Sequence, residues 1–234
     1  MMKSKITIFE TNKNDSIMSK DPKFYEEGLS EEERKERFHQ QRIKLGKKLG
    51  IDGNHIFKAY QKGQYNDYHK DAKYEDGTYI VLNESHMNKE DFYDEYLPAD
   101  ILIISDKYPK IAIANPQADC AILICEDREK GYTALSHCGA AYVDRNLPID
   151  TIKALEKHCN SQKENIYVYI GSCIKKESYI YDKYPVWAKN KKIWEKNIEE
   201  KNNEYYSHSV ASKGDISKKG QNLVGFYYNE RRED

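Results

Sequence analysis

One cysteine and one histidine near the middle of the chain have side chains that could carry out chemistry. Cys120 enters one apolar run, His137 ends the next, and the polar turn 126–131 separates the two runs. If these runs pair as a hairpin centred between Arg128 and Glu129, the two side chains face each other, roughly 5 Å apart at Cβ. A thiol beside an imidazole can act as a nucleophile, and both groups also bind zinc.

Two chemistries and one structural alternative follow from this pair. A catalytic zinc takes three protein ligands and a water, and Cys120 with His137 supplies two of the three. Without metal, a thiolate–imidazolium pair would suit a hydrolase, deamidase or transferase, with Asp119 orienting the imidazole. The structural alternative is that Cys120 is a small buried apolar residue and that the backbone satisfies His137.

The elements that must position the pair are apolar runs of strand length. Such β-branched runs, bounded by Asp, Pro, Lys and Gly, are typical of buried strands. The four central runs are 101–104, 111–114, 121–125 and 132–137. Further strands are predicted at 6–9, 55–64 with its turn, 78–82, 166–170 and 223–228, and helices at about 31–48, 149–159 and 187–201. Ser30 and Glu33 form a capping box for the first helix.

Size and charge limit the kind of protein this is. The chain has 234 residues, a formal net charge of −1 and no apolar run near the roughly 18 residues that a membrane helix needs. We therefore expect one domain over 1–234, with an N-terminal strand and loop at 1–28 and a charged tail at 229–234. No membrane or nucleic-acid partner is expected, and the oligomeric state is left open.

The cysteines indicate a reducing compartment. There are five of them, an odd number without the spacing of a disulfide framework, and the first residues are too polar for a signal peptide. A cytoplasmic location is therefore predicted.

Short motifs along the chain resemble, in the same order, those of the multicopper polyphenol oxidase or laccase-domain family. Ala118-Asp119-Cys120 matches the family's Ala-Asp-Cys, Ser136-His137-Cys138-Gly139 stands where the family has Ala-His-Ala-Gly, and Gly171-Ser172-Cys173-Ile174 stands where it has Gly-Pro-Cys-Ile. Weaker matches lie at 41–51, 99–103 and 220–223. The resemblance covers about residues 35–226.

The resemblance implies a fold, a metal and an activity. The implied fold is an α/β (α+β) sandwich of mixed sheets, layered α/β/β/α and similar to that of deamidating toxins that use a Cys-His pair. The family binds zinc through two His and one Cys. It acts on purine nucleosides, by phosphorolysis with phosphate or by deamination of adenosine, and some relatives are implicated in peptidoglycan editing. Cys120 and His137 hold the catalytic positions and two ligand positions.

The chain departs from the family pattern at the first histidine ligand. Lys62 stands where the family has that histidine, and an ammonium group cannot bind metal until it loses its proton. His69, seven positions further on, is the nearest substitute as third zinc ligand. Lys62 becomes a candidate substrate-binding residue that would also lower the pKa of the Cys120 thiol, and Cys173 is a second candidate for substrate binding.

Copper is not expected, because a laccase needs about ten histidines in His-x-His pairs for its copper centres. The chain has seven histidines, and no two of them are two residues apart. A degenerate family member that keeps the fold as a binding module is the alternative to an enzyme.

Overall fold

Nine strands and two longer helices lie within the part of the chain that the structure describes. In this computed structural model that part is residues 6–11, 28–59, 79–84, 97, 99–117, 120–139, 142–143, 146–171, 173 and 222–228. The elements are β1 (Ile6–Glu10), α1 (Glu31–Leu49), β2 (Ile56–Lys58), β3 (Tyr79–Val81), β4 (Ile101–Ser105), β5 (Ala112–Gln117), β6 (Ala121–Asp127), β7 (Tyr132–Cys138), α2 (Leu147–Cys159), β8 (Ile166–Ile170) and β9 (Asn222–Tyr228). Each strand and helix predicted in these residues is confirmed, whereas the helix predicted at 187–201 lies outside them.

The strands form two mixed sheets. The first sheet has the order β1-β9-β5-β2, and the second has the order β3-β4-β7-β6-β8. β2 is parallel to β5 and β3 is parallel to β4, while the other neighbours are antiparallel. The strand that carries His137, β7, is therefore the central strand of the second sheet.

Three hydrophobic clusters show how the layers stack. The largest lies between the sheets and includes Ile113 from the first sheet and Leu135 from the second. The outer face of the first sheet packs against Leu45 of α1, and the outer face of the second packs against Leu155 of α2. The order of the layers is thus α/β/β/α, as the family resemblance implied.

Helix α1 begins and ends at signals that are visible in the sequence. The Ser30 hydroxyl accepts the Glu33 N–H at 3.2 Å, and the Glu33 carboxylate accepts the Ser30 N–H at 2.8 Å. At the other end Gly50 adopts φ 72°, a left-handed conformation that glycine reaches without strain. Neither helix in the described residues has the length and apolar composition needed to cross a membrane.

One hydrogen bond joins the two sheets through the core. The hydroxyl groups of Tyr228 and Thr133 are 2.7 Å apart, and both residues are buried. The backbone carbonyl of Tyr228 also accepts the N–H of Lys110 at 3.2 Å. This link holds the start of β5 against the start of β7, and both strands run from it toward the same end of the sandwich.

We call this end the site end. It is the end at which β2, β5, β7 and β8 finish and at which β4, β6 and β9 begin. Strand ends from both sheets therefore lie at this end.

The hydroxyl link gives a test of the packing between the sheets. Tyr228→Phe should lower the free energy of unfolding by about 1–3 kcal/mol, because it leaves the buried Thr133 hydroxyl without its partner. Adding Thr133→Val should recover part of that loss, since both ends of the link are then apolar. Urea unfolding measures both effects, and Tyr227→Phe on the opposite face of β9 is the matched control. An effect of Tyr228→Phe no larger than that of the control would contradict the assignment.

Candidate functional site

The hairpin of β6 and β7 does not have the predicted register. Ile122 lies opposite His137, and Ala121 lies opposite Cys138. One step further places Cys120 opposite Gly139, and a Cβ built on Gly139 would indeed lie 3.4 Å from the Cys120 sulfur. The prediction that Cys120 and His137 face each other directly is therefore wrong by two residues.

The turn explains the shift. The Asp127 carboxylate accepts the N–H groups of Glu129 and Lys130, each at 3.0 Å, and the Gly131 N–H bonds to the Asp127 carbonyl at 2.9 Å. Gly131 closes the turn at φ 68°, in the left-handed region. The loop thus has four residues between the paired Asp127 and Tyr132, and its centre lies between Glu129 and Lys130, one residue beyond the predicted centre. A shift of one residue in the centre changes the pairing by two residues.

Cys120 and His137 nevertheless share one face of the second sheet. Ile122 and Leu135 belong to the cluster between the sheets, and alternation along a strand places Cys120 and His137, each two residues away, on that same inner face. They are diagonal neighbours across the β6–β7 pair, at a typical Cβ separation of roughly 7–8 Å. Both side chains are half-buried at the site end.

The environment of His137 keeps its ring neutral. Burial lowers the pKa of His137 to about 4, so the imidazole is uncharged near neutral pH. A neutral imidazole can accept a proton or bind a metal ion.

Asp100 is an acidic neighbour that the motif analysis passed over. Ile101 lies opposite Ser136 in the β4–β7 pair, and extending this register by one residue places Asp100 opposite His137. Asp100 is only 1% exposed. Cys120, His137 and Asp100 therefore occupy the same inner face at the ends of three adjacent strands. The available signal was the Ala99-Asp100 pair at the start of a buried strand.

Asn115 approaches the site end from the other sheet. It follows Ile111 and Ile113 on the inner face of β5, and it is 1% exposed. Its carbonyl Oδ1 accepts the Ala59 N–H at 3.0 Å. A buried Asn in a run of Ile and Ala is a signal that the sequence analysis did not use.

The candidate substrate-binding cysteine also comes from this end. Gly171 donates its N–H to the Ile122 carbonyl at 2.8 Å, which directs the chain after β8 past the start of β6. Cys173 follows and is exposed. Its predicted contact with substrate stays a prediction.

The predicted zinc ligands are only partly described. Cys120 and His137 share a face, whereas His69, Lys62 and Asp119 lie outside the described residues. Within the described ranges no group of three His, Cys, Asp or Glu side chains is arranged to hold a metal ion. Among the described residues, Cys120 and His137 therefore supply two of the three protein ligands that a catalytic zinc needs.

The five cysteines differ in reactivity. Burial raises the pKa of Cys125 to about 12, of Cys138 to about 11 and of Cys159 to about 12. Thiols with such values are almost fully protonated near neutral pH, and the thiolate is the nucleophile. Cys120 is half-exposed and Cys173 is exposed.

These differences predict the alkylation pattern of the folded protein. Iodoacetamide near neutral pH should modify Cys120 and Cys173 and leave the three buried thiols intact until urea unfolds the chain. Mass spectrometry of peptides after a short exposure measures this, and in a Cys173→Ser variant one modified residue should remain. Modification of Cys125 at the rate of Cys120 in native protein would contradict the burial described here.

Solved structures share this architecture. The hypothetical protein YfiH of Bacillus licheniformis aligns with a TM-score of 0.63 over 95% of this chain and 92% of its own, at 16% identity. YlmD of Geobacillus stearothermophilus aligns with a TM-score of 0.62 over 97% of this chain and 93% of its own, at 12% identity. At these identities the likeness shows the fold alone.

The sequence itself identifies the family. No curated protein matches it, but the family model described as multi-copper polyphenol oxidoreductase laccase matches residues 9–214. The matched segment runs from within β1 through β8 and contains Cys120, His137 and Cys173. The chain therefore belongs to the multi-copper polyphenol oxidoreductase laccase family.

Proposed function

We propose that the chain is an enzyme that acts on purine nucleosides, by phosphorolysis or by deamination of adenosine, with Cys120 and His137 at its centre. The observation that carries the proposal is the placement of these two side chains on one inner face at the site end, in a chain of this family. Substrate and inorganic phosphate are the proposed small-molecule partners, and Lys62 and Cys173 are the proposed additional contacts.

His137 suits the proton transfers that both reactions need. Deamination requires a base for the attacking water and an acid for the departing ammonia, and phosphorolysis requires a proton for the departing purine. Because burial keeps the pKa of His137 low, the ring starts in the neutral form and can take up the first proton. The half-exposed Cys120 lies diagonally beside it and can contact the reacting centre.

Zinc belongs to this proposal as a group that Cys120, His137 and His69 would hold. The proton transfers assigned to His137 then apply to the metal-free site, because an imidazole nitrogen that binds zinc cannot also take up a proton. When bound with three protein ligands, zinc would activate a water or orient a phosphate. Two of these ligands, Cys120 and His137, lie in the described residues, whereas His69 lies outside them. The role of His69 therefore needs an experimental test.

A cytoplasmic location is part of the same proposal. All five cysteines are free thiols. Free thiols are typical of proteins in reducing compartments.

A second candidate is a metal-free cysteine hydrolase or deamidase. The observation that favours it is Asp100, which the strand register places opposite His137. In this reaction neutral His137 would take the proton of the Cys120 thiol as the sulfur attacks a carboxamide carbon, and would pass that proton to the departing ammonia. Water would then hydrolyse the thioester, which releases the carboxylic acid and regenerates the thiol. Asp100 would orient the imidazole.

Turnover assays test the first candidate. Purified protein is incubated with adenosine, inosine, guanosine or methylthioadenosine, with and without phosphate, and products are separated by liquid chromatography. Cys120→Ala and His137→Ala should each lower turnover by about 100-fold or more, because each removes a group at the reacting centre. Cys159→Ala and His55→Ala, which change residues remote from the site end, are the matched controls. Absence of turnover in the unmodified protein would reject the proposal.

Zinc content separates the two candidates. About one zinc per chain in protein purified without chelator, lost in both His137→Ala and His69→Ala, would support the purine enzyme with its three proposed ligands. Zinc-free protein in which iodoacetamide modifies Cys120 faster than the exposed Cys173 would support the cysteine hydrolase. Zinc retained in full after His69→Ala would contradict the role of His69.

A further inference from the structure

Asn115 lies on the inner face of the first sheet, and Cys120 and His137 lie on the inner face of the second. The hydroxyl link between Tyr228 and Thr133 aligns the starts of β5 and β7. His137 lies four residues beyond Thr133, and Asn115 lies four residues beyond Ile111, the inner-face residue next to Lys110. Both belong to inner faces, so they approach the site end from the two sides of the space between the sheets.

The orientation of the Asn115 amide is fixed by one hydrogen bond. Oδ1 accepts the Ala59 N–H at 3.0 Å, and this partner can only donate. The other half of the amide, Nδ2, therefore takes no part in this bond. It is buried and has no hydrogen-bond partner among the described residues.

A structural role accounts for only half of this side chain. The bond to Ala59 extends the β2–β5 pairing and uses Oδ1 alone. A buried donor without a partner destabilises the folded chain, and an acceptor-only side chain at this position would avoid that loss. A ligand that accepts a hydrogen bond from Nδ2 would explain why this position at the site end carries an amide.

The charge of the surroundings favours a neutral acceptor. The described inner-face residues at the site end include no Lys or Arg, and the nearby Lys58 lies on the outer face, with its ammonium 3.9 Å from the centre of the Phe38 ring. A phosphate held there by one neutral amide would keep an uncompensated charge. A ring nitrogen of a purine is neutral and accepts one hydrogen bond.

We propose that Asn115 is a specificity residue that donates a hydrogen bond from Nδ2 to a ring nitrogen of the purine bound at the site end. The inference rests on the purine-nucleoside function proposed above and adds the base contact to it. In this arrangement Cys120 and His137 act from the second sheet, and Asn115 holds the base from the first.

Deaza analogues and variants of Asn115 test the contact together. The inhibition constants of 1-, 3- and 7-deazaadenosine are measured against adenosine turnover, because each analogue lacks one ring acceptor. For the unmodified protein one analogue should bind about 10- to 100-fold more weakly than the other two. In Asn115→Asp, assayed at a pH at which the new carboxyl is ionised, the acceptor for Ala59 is kept and the donor is lost, so this difference should fall to within about 3-fold.

A second variant and a control keep the test decisive. Asn115→Leu removes both halves of the amide and should abolish the same difference, so it serves if the buried carboxylate of Asn115→Asp prevents folding, as thermal unfolding would show. Asn54→Asp, at an exposed position, should leave the difference unchanged. Two outcomes would overturn the role of Asn115: equal binding of the three analogues to the unmodified protein, or an unchanged difference between the analogues in the folded variants. Turnover of adenosine by the unmodified protein would still support the purine function in either case. An unmodified protein that neither binds nor converts any nucleoside would reject both.

Discussion

The turn between β6 and β7 decides which side chains meet at the site end. The Asp127 carboxylate holds two backbone N–H groups, and Gly131 closes the loop in a conformation that other residues adopt with strain. Together they fix a loop of four residues and so the register of the central strand. β7 also pairs with β4, and the separate register of that pair places Asp100 opposite His137. A slip of one residue would turn His137 from the inner face to the outer face.

The interior between the sheets changes character along its length. Around Ile113, Leu135 and Phe226 it is apolar and closed, which gives the sandwich its packed core. At the site end the inner-face positions become Asp100, Asn115, Cys120 and His137 instead. The core excludes water from one side of the site, and this burial lowers the pKa of His137. The site thus has an apolar side formed by the core and polar groups from both sheets.

Most of the fold could be predicted from local signals, whereas the geometry of the site could not. The strands follow from β-branched runs, and α1 follows from the Ser30–Glu33 box and from Gly50, because these signals act over a few residues. The register of β6 and β7 was predicted wrongly, since six consecutive polar residues do not reveal where a turn is centred. Asp100 and Asn115 were missed because their neighbours come from strands that are distant in the chain. That Cys120 and His137 share a face was predictable, since the two-residue error in register preserves the face.

The position of β9 has a consequence for how the protein is made. This strand lies between β1 and β5, yet it is the last described element in the chain. β1 is translated before the other described strands, and β9, with which it pairs, is translated after them. The first sheet can close only when β9 has been synthesised, so chaperone protection and slow, late closure of this sheet are the expected features of its biogenesis.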